Sequence, residues 1–243
     1  MPNWVYNSLT IEGSAEDISA IKKQVNQPFQ RQHDSWNMET KEMELVDTLY
    51  PNPVFAFWNI IKPTNLEAYN KQTDHTLPIA DQLLFSGDNW YDFNVRNWGT
   101  KWDVAVSDEE KWPDTELLEE GKNGENYVLV YKFNTAWGVA EEALVKLSSQ
   151  YPDLLFTLSF EEETGWGGEW EILKGEIISQ SEYNWQCREC GYEETDEPPF
   201  CETCEHDMCP KCGYGEPDYD LQFECPTHGV ELKEHLAQIG KAE

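Results

Sequence analysis

Seven cysteines, all between Cys187 and Cys225, carry the clearest chemical signal in the sequence. Six of them form three pairs with two residues between the members, and Cys225 forms a fourth such pair with His228. Thiolate and imidazole ligands at this spacing are typical of structural zinc, which takes four of them in a tetrahedron and leaves no open position for a catalytic water. We therefore expect two structural zinc ions. The expected ligands are Cys187, Cys190, Cys201, Cys204, Cys209, Cys212, Cys225 and His228.

The spacing leaves open how the four pairs combine. The unit that starts at Cys209 repeats the one at Cys187, and both continue as Cys-x2-Cys-Gly-Tyr. This repeat favours sequential pairing into two tandem zinc ribbons over the interleaved pairing of a RING-like cross-brace. In a cross-brace His206 could replace Cys201 or Cys204; otherwise it is an exposed loop residue. A redox pair or an iron–sulfur cluster explains the regular array less well.

A second group of polar residues surrounds two tryptophans in residues 97–103. Lys101 and Asp103 could form an acid–base or anion-binding pair. The alternative is structural, with a helix end at Gly99, a strand start after it, buried tryptophans and an exposed Lys101 and Asp103. We favour the structural alternative and assign no catalytic residue, because no Ser/His/Asp or HExxH arrangement accompanies the group. The candidate ligand or interaction residues are Asn97, Trp98, Thr100, Lys101, Trp102, Asp103, Asn134 and Trp137.

The charge of the chain restricts its partners. With 47 acidic and 17 basic residues the formal net charge is −30, which repels nucleic acids and anionic membranes. A basic partner protein fits this charge, and so does mimicry of nucleic acid. The sequence has no apolar run near the roughly 20 residues of a membrane helix and no signal-peptide pattern at its start. We expect a cytoplasmic protein with reduced thiols.

Two domains are expected, because every cysteine lies in the last quarter of the chain. Residues 1–183 would form an α+β domain, and residues 184–243 a two-zinc ribbon module with a short C-terminal helix. Residues 27–50 are polar and predict a loop with a short helix near 42–49, and the acidic residues 107–126 predict an exposed excursion. Strands are predicted at 5–11, 54–61, 127–133, 154–160 and 169–178, and helices after Ser14, at 89–98 and at 140–147.

The predicted order of strands and helices favours an elaborated ferredoxin-like sandwich of the split βαβ kind. Several motifs also resemble the YubB-type ferredoxin-like domain of phage and conjugative-plasmid proteins over about residues 1–180. The motifs are Met1–Trp4 with Asn7 and Leu9–Ile11, Asn97–Asp103, and Phe133–Trp137. Val5 and Asn134 depart from the cysteine and the acidic residue expected there. The resemblance implies a fold and a mobile-element origin, and no particular reaction.

These observations favour a binding function. We expect an acidic phage- or plasmid-type accessory protein that inhibits or modulates a basic host or defence protein. One alternative is an enzyme that acts on a nucleotide or nucleic acid through the Asn97–Asp103 cluster. Another is a nucleic-acid mimic that blocks a DNA-binding protein through its negative charge.

Overall fold

The computed structural model describes residues 3–70, 89–106 and 114–186, and the short segments 193–194, 200–201 and 206–207. Met1–Glu163 and Glu169–Ser181 form one compact unit, and Thr164–Gly168 and Glu182–Glu243 form a second. The domain bounds expected from the sequence, 1–183 and 184–243, stay a prediction. No helix in the described part of the chain is long and apolar enough to span a membrane.

Twelve strands and four helices make up the described structure. The helices are α1 Ala15–Val25, α2 Leu66–Tyr69, α3 Trp90–Trp98 and α4 Glu141–Gln150. The longer strands are β1 Trp4–Gly13, β2 Phe29–Asn37, β3 Glu42–Tyr50, β4 Glu116–Asn123, β5 Asn126–Ala136, β6 Leu155–Glu162, β7 Gly167–Leu173 and β8 Glu176–Tyr183. The two-residue strands are β9 Trp185–Gln186, β10 Glu193–Glu194, β11 Phe200–Cys201 and β12 His206–Asp207.

A six-stranded sheet, in the order β4–β5–β1–β6–β7–β8, forms the centre of the fold. β1 is antiparallel to both β5 and β6, and β4 is antiparallel to β5. The succession β1–α1–β4–β5–α4–β6 and the order of its four strands are those of the split βαβ arrangement. The predicted class, α+β with a ferredoxin-like domain, is confirmed at this level.

One face of the sheet is buried and the other is open. Along β1 the side chains of Val5, Leu9 and Ile11 are fully buried, whereas Tyr6 and Ser8 point to the opposite face and are exposed. Helix α1 covers the buried face with three apolar residues, Ile18, Ile21 and Val25. Burial of each such side chain contributes roughly 1.5–3 kcal/mol, so this alternation fixes which face meets the helices.

The helix start predicted at Ser14 is confirmed. Its Oγ accepts a hydrogen bond of 3.1 Å from the backbone N–H of Asp17 and so caps α1. The strands predicted at 5–11, 127–133 and 154–160 and the helices at 89–98 and 140–147 are also present, in most cases a few residues longer. Clear apolar periodicity or a capping residue marked each of these elements.

The prediction of a loop with a short helix over residues 27–50 is wrong. β2 and β3 form a hairpin there, in which Phe29 pairs with Tyr50 and Asn37 with Glu42. The rings of Phe29 and Tyr50 stack at 4.6 Å at the base of the hairpin. Exposed polar residues line much of both strands, so the sequence has no apolar alternation to indicate them.

The strand predicted at Val54–Ile61 is also wrong. This segment is an irregular loop with one 3-10 turn at Phe57–Asn59. Phe55, Ala56, Phe57 and Trp58 are all buried in succession. A strand with one face on the core would bury only alternate residues. The burial of four successive side chains therefore fits an irregular loop that lies within the core.

Two further predictions need correction. The segment 107–126, which was expected to be an exposed excursion, contains the edge strand β4. The Glu and Lys residues of β4 gave no strand pattern in the sequence. Residues 107–113 lie outside the described part of the chain. The single strand predicted at 169–178 is two strands, β7 and β8, separated by a turn in which Lys174 and Gly175 both have positive φ.

Candidate functional site

The candidate residues from two distant parts of the sequence meet at one end of the sheet. The segment after α3 contacts the end of β5 through Thr100, and Trp102 lies 5.7 Å from the ring of Trp4 in β1. The backbone N–H of Trp137 donates a 3.0 Å hydrogen bond to the carbonyl of Asn3. Three sequence motifs that the resemblance grouped together therefore form one structural unit.

Gly99 allows the end of α3 to lie close to the residues at the start of α4. It ends α3 in the left-handed conformation, with φ of 81°. A Cβ atom there would lie 2.6 Å from the carbonyl oxygen of Val139 and 3.0 Å from the N–H of Glu141. Only glycine fits a residue that needs both positive φ and such close packing against the start of α4.

Asp103 is a structural anchor. Its carboxylate is buried and accepts hydrogen bonds from the backbone N–H groups of Phe57, at 2.8 Å, and Trp58, at 3.0 Å. It also accepts a 3.2 Å bond from the N–H of Ala105. These bonds satisfy amides of the buried loop that have no strand partner among the described residues. The expectation of an exposed Asp103 is therefore wrong.

Lys101 does not pair with Asp103. Its Nζ lies 4.6 Å from the ring centroid of Trp102, a cation–π contact, on the part of the segment that faces solvent. Trp102 itself is 37% exposed, so the expectation that both tryptophans are buried holds only for Trp98. Residues 100–106, the part of the following segment that the structure describes, contain no strand either. Lys101 and Asp103 thus have separate surroundings and do not form the hypothesised acid–base pair.

Asn97 and Trp98 have structural contacts. The side-chain amide of Asn97 donates to the carbonyl of Phe93 one turn earlier in α3, at 2.8 Å. Trp98 is fully buried, and its Nε1 donates to the carbonyl of Ile61 at 3.1 Å. Both side chains therefore hold α3 in place, and the N–H groups that they use for this are not available to a ligand.

Asn134 and Trp137 differ from each other in exposure. Asn134 is buried in β5, and its Oδ1 has no hydrogen-bond partner among the described residues. Trp137 follows the strand with φ of 73° and is 59% exposed. Neither Asn134 nor Thr135 caps the next helix, because α4 begins after Ala140 and has no side-chain cap.

Sequence reasoning missed an ion pair at the base of the β2–β3 hairpin, between the largely buried Arg31 and the buried Asp103. Nη1 of Arg31 lies 3.8 Å from Oδ2 of Asp103, and its Nη2 donates to the hydroxyl of Tyr50 at 3.3 Å. Burial alone would lower the pKa of the Arg31 guanidinium, but the charge of Asp103, aided by Tyr50 and Tyr69, raises it. A polar strand without apolar alternation gave no signal that Arg31 would be buried.

The open face of the sheet, defined by the outward residues of β4, β5, β1, β6 and β7, is rich in carboxylates. Pairing across the strands aligns Glu116, Lys132, Ser8 and Ser159 in one row, and Ser159 Oγ donates to Glu169 at 3.0 Å. The same alternation puts Glu119, Glu161 and Glu171 on this face. Among the described strand residues on this face Lys132 is the one cation, and Asp114 lies 3.3 Å from its Nζ.

Three aromatic residues lie at the end of this face. Trp4 and Tyr6 alternate with the buried residues of β1, Tyr6 is 45% exposed, and Trp102 packs beside Trp4. We refer to Trp4, Tyr6 and Trp102 as the aromatic end of the open face. It combines apolar area with nearby acidic charge.

The expected zinc ligands lie largely outside the described residues. Of the eight, only Cys201 is described, in β11, where its backbone pairs with that of His206 in β12. Within the ranges that the structure describes, no three His, Cys, Asp or Glu side chains come together as metal ligands. The zinc assignment and the pairing of its ligands stay predictions.

Comparison with known proteins supports the ferredoxin-like assignment for part of the chain. Residues 101–204 match the family described as the ferredoxin-like domain in Api92-like protein. The match covers β4 to β8 and ends at Cys204, whereas β1 and α1, which complete the βαββαβ arrangement, precede it. No curated protein and no solved structure matches the chain.

Proposed function

We propose that this protein binds a basic partner protein through the open face of its sheet. The observation that carries the proposal is the concentration of carboxylates on that face beside exposed aromatic side chains. Glu161, Glu169 and Glu171 lie on two adjacent strands there. Acidic charge accelerates encounter with a positive surface, and Trp and Tyr are frequent anchors of protein interfaces.

The same charge argues against nucleic acid as the direct ligand of this face. Ferredoxin-like sheets that bind RNA stack bases on aromatics and need cations for the phosphates. Here the aromatic end has Lys101 nearby, but carboxylates dominate the strands behind it. The second candidate function is mimicry of nucleic acid, in which the same carboxylates would bind the DNA-binding surface of a partner protein.

A charge-matched comparison tests the proposal. The first variant, Glu161→Gln/Glu169→Gln/Glu171→Gln, removes three charges from the open face. The control, Glu16→Gln/Glu39→Gln/Glu125→Gln, removes three from exposed positions elsewhere. Binding of an arginine-rich peptide that contains tryptophan should weaken at least about fivefold in the first and less than about twofold in the control. Equal losses would mean that only the net charge matters and would overturn the proposal.

The aromatic end provides an independent test. Tyr6→Ala and Trp102→Ala should weaken binding of the same peptide, while Tyr127→Ala, at an exposed position on the other face, should not. Competition by duplex DNA for a DNA-binding partner would favour mimicry. Binding should also fall as salt is raised, because the Debye length shrinks from about 10 Å at 0.1 M to about 3 Å at 1 M.

We also propose that residues 184–243 bind two structural zinc ions with sequential pairing. Two antiparallel ladders support this: β9 pairs with β10 on either side of Cys187 and Cys190, and β11 pairs with β12 around Cys204. A pair of cysteines in the turn of a short hairpin is the usual arrangement in zinc ribbons. The family match ends at Cys204, after four expected ligands, which fits a first site that is complete by that residue.

The proposed setting is a mobile element. The YubB-type resemblance of residues 1–180 and the net charge of −30 favour an accessory protein of phage or plasmid type that acts on a host or defence protein. The enzyme alternative loses its main support, because Lys101 and Asp103 do not share a site.

A further inference from the structure

A cleft of about 580 Å³ lies between the β2–β3 hairpin and α2, away from the open face. Small-molecule sites usually have volumes of roughly 300–1,000 Å³. The residues that line the cleft include Arg31, Leu45, Asp47, Trp58, Leu66 and Glu67. Trp58, at 5% exposure, and Arg31 are among its most buried members, whereas Leu45 and Leu66 are exposed at the opening.

Arg31 offers hydrogen-bond donors that the protein does not use. A guanidinium has five N–H groups. Nη2 donates to Tyr50, the guanidinium also hydrogen-bonds the hydroxyl of Tyr69, and Nη1 is 3.8 Å from Asp103, which is beyond hydrogen-bond distance. The buried Nε has no partner among the described residues. Asp103 accepts three backbone N–H bonds and pairs with Arg31 through charge, without a direct hydrogen bond to it. A carboxylate ligand would match the planar fork of Arg31 and satisfy the remaining donors.

The other lining residues narrow the ligand class. Asp47 and Glu67 are exposed at the cleft and would attract a cationic group, and together with Asp103 they would repel a phosphate dianion. Leu45, Leu66 and Trp58 supply apolar surface between these charges. A ligand that fits therefore carries a carboxylate, an ammonium group and an apolar side chain.

We propose that this cleft binds a free α-amino acid with an apolar side chain. The carboxylate contacts Arg31, the ammonium group contacts Asp47 and Glu67, and the side chain packs between Leu66 and Trp58. The cleft is built from other residues than the open face, so either proposal can fail without the other.

Calorimetric titration of the full chain with four probes tests the proposal. L-leucine should bind saturably at millimolar concentration. Leucine methyl ester, which lacks the carboxylate, and 4-methylpentanoate, which lacks the ammonium group, should each bind about tenfold more weakly, since each loses one charged contact. Inorganic phosphate should not bind at this site. Absence of saturable leucine binding, or equal binding of phosphate, would overturn the proposal.

Variants then assign the binding to the cleft without disturbing buried Arg31. Asp47→Asn/Glu67→Gln should weaken leucine binding by about threefold or more and should not weaken the binding of 4-methylpentanoate, which has no ammonium group for these carboxylates. The charge-matched control Glu39→Gln/Glu125→Gln should bind leucine as the wild type does. Equal weakening by the two double variants would show that leucine binds elsewhere or responds only to net charge.

Discussion

The hydroxyl of Thr100 donates to the carbonyl of Ala136 at 2.9 Å and accepts from its N–H at 3.0 Å. The neighbouring strand β4 begins opposite Lys132, so β5 extends four residues beyond it. Thr100 therefore binds backbone groups of Ala136 at the place where a strand neighbour would otherwise lie. This reciprocal pair, fully buried, fastens the segment 97–103 to the sheet.

Loss of the Thr100 hydroxyl should destabilise the protein by about 1–3 kcal/mol, because Thr100→Val keeps the shape and leaves the buried N–H of Ala136 without its acceptor. Thr157→Val on the open face is the matched control and should change the free energy of unfolding by less than about 0.5 kcal/mol. Urea unfolding followed by tryptophan fluorescence measures both. Equal effects of the two variants would mean that the pair contributes nothing to stability.

Gly99→Ala should destabilise the protein by about 2 kcal/mol or more, since positive φ and a clash with the Val139 carbonyl act together. Gly124 offers a control with φ of 61° and no atom within 4 Å of an added Cβ. Gly124→Ala should therefore cost only the conformational part, about 1 kcal/mol. Thermal unfolding of the two variants compares the costs, and a smaller loss at Gly99 would contradict the close approach.

Alkaline pH should reduce stability through Tyr69. Burial is the main cause that raises the pKa of its hydroxyl from 10.0 to about 12. Because the folded pKa exceeds the unfolded one, the stability from this group is complete below about pH 10 and is lost as the pH rises towards about 12. The destabilisation caused by Tyr69→Phe should accordingly shrink by about 1 kcal/mol between about pH 8 and about pH 11.

The neighbouring ring provides the control for this pH dependence. Phe93 packs edge-on against Tyr69 at 5.6 Å and does not ionise. Phe93→Leu should cost the same free energy of unfolding at both pH values, measured by urea denaturation. A constant difference between Tyr69→Phe and wild type would refute the role given to Tyr69.

The ferredoxin-like strands were predictable because their burial alternates. β1 and β6 each expose every second residue to the open face, and Ser14 marks the start of α1 by its capping hydroxyl. β2 and β4 were not predictable in this way. β2 is polar on both faces and β4 carries charges suited to a sheet edge, so neither presents a period of two.

The sequence predicted which residues come together in the candidate site. It did not predict what each of these residues contacts. Residues 97–103 and 134–137 do converge, but Asp103 binds amides of Phe57 and Trp58, which lie about 45 residues earlier in the sequence. No local pattern reveals such a partner, because a carboxylate can accept from any backbone N–H that has no other partner. The ion pair between Arg31 and Asp103 joins residues just as distant in the sequence and could not be predicted for the same reason.

Zinc content should distinguish the two pairings of the cysteine module. Native mass spectrometry of chain purified without chelator should detect two zinc ions, because eight ligands fill two tetrahedral sites.

Serine at all four positions of the first two pairs should leave one zinc ion under sequential pairing and none under a cross-brace. Serine at the first and third pairs should give the reverse result, and His206→Ala should keep both ions. Iron in place of zinc, or one remaining ion in the variant of the first and third pairs, would refute the proposed sites. The first of these variants replaces Cys187, Cys190, Cys201 and Cys204, and the second replaces Cys187, Cys190, Cys209 and Cys212.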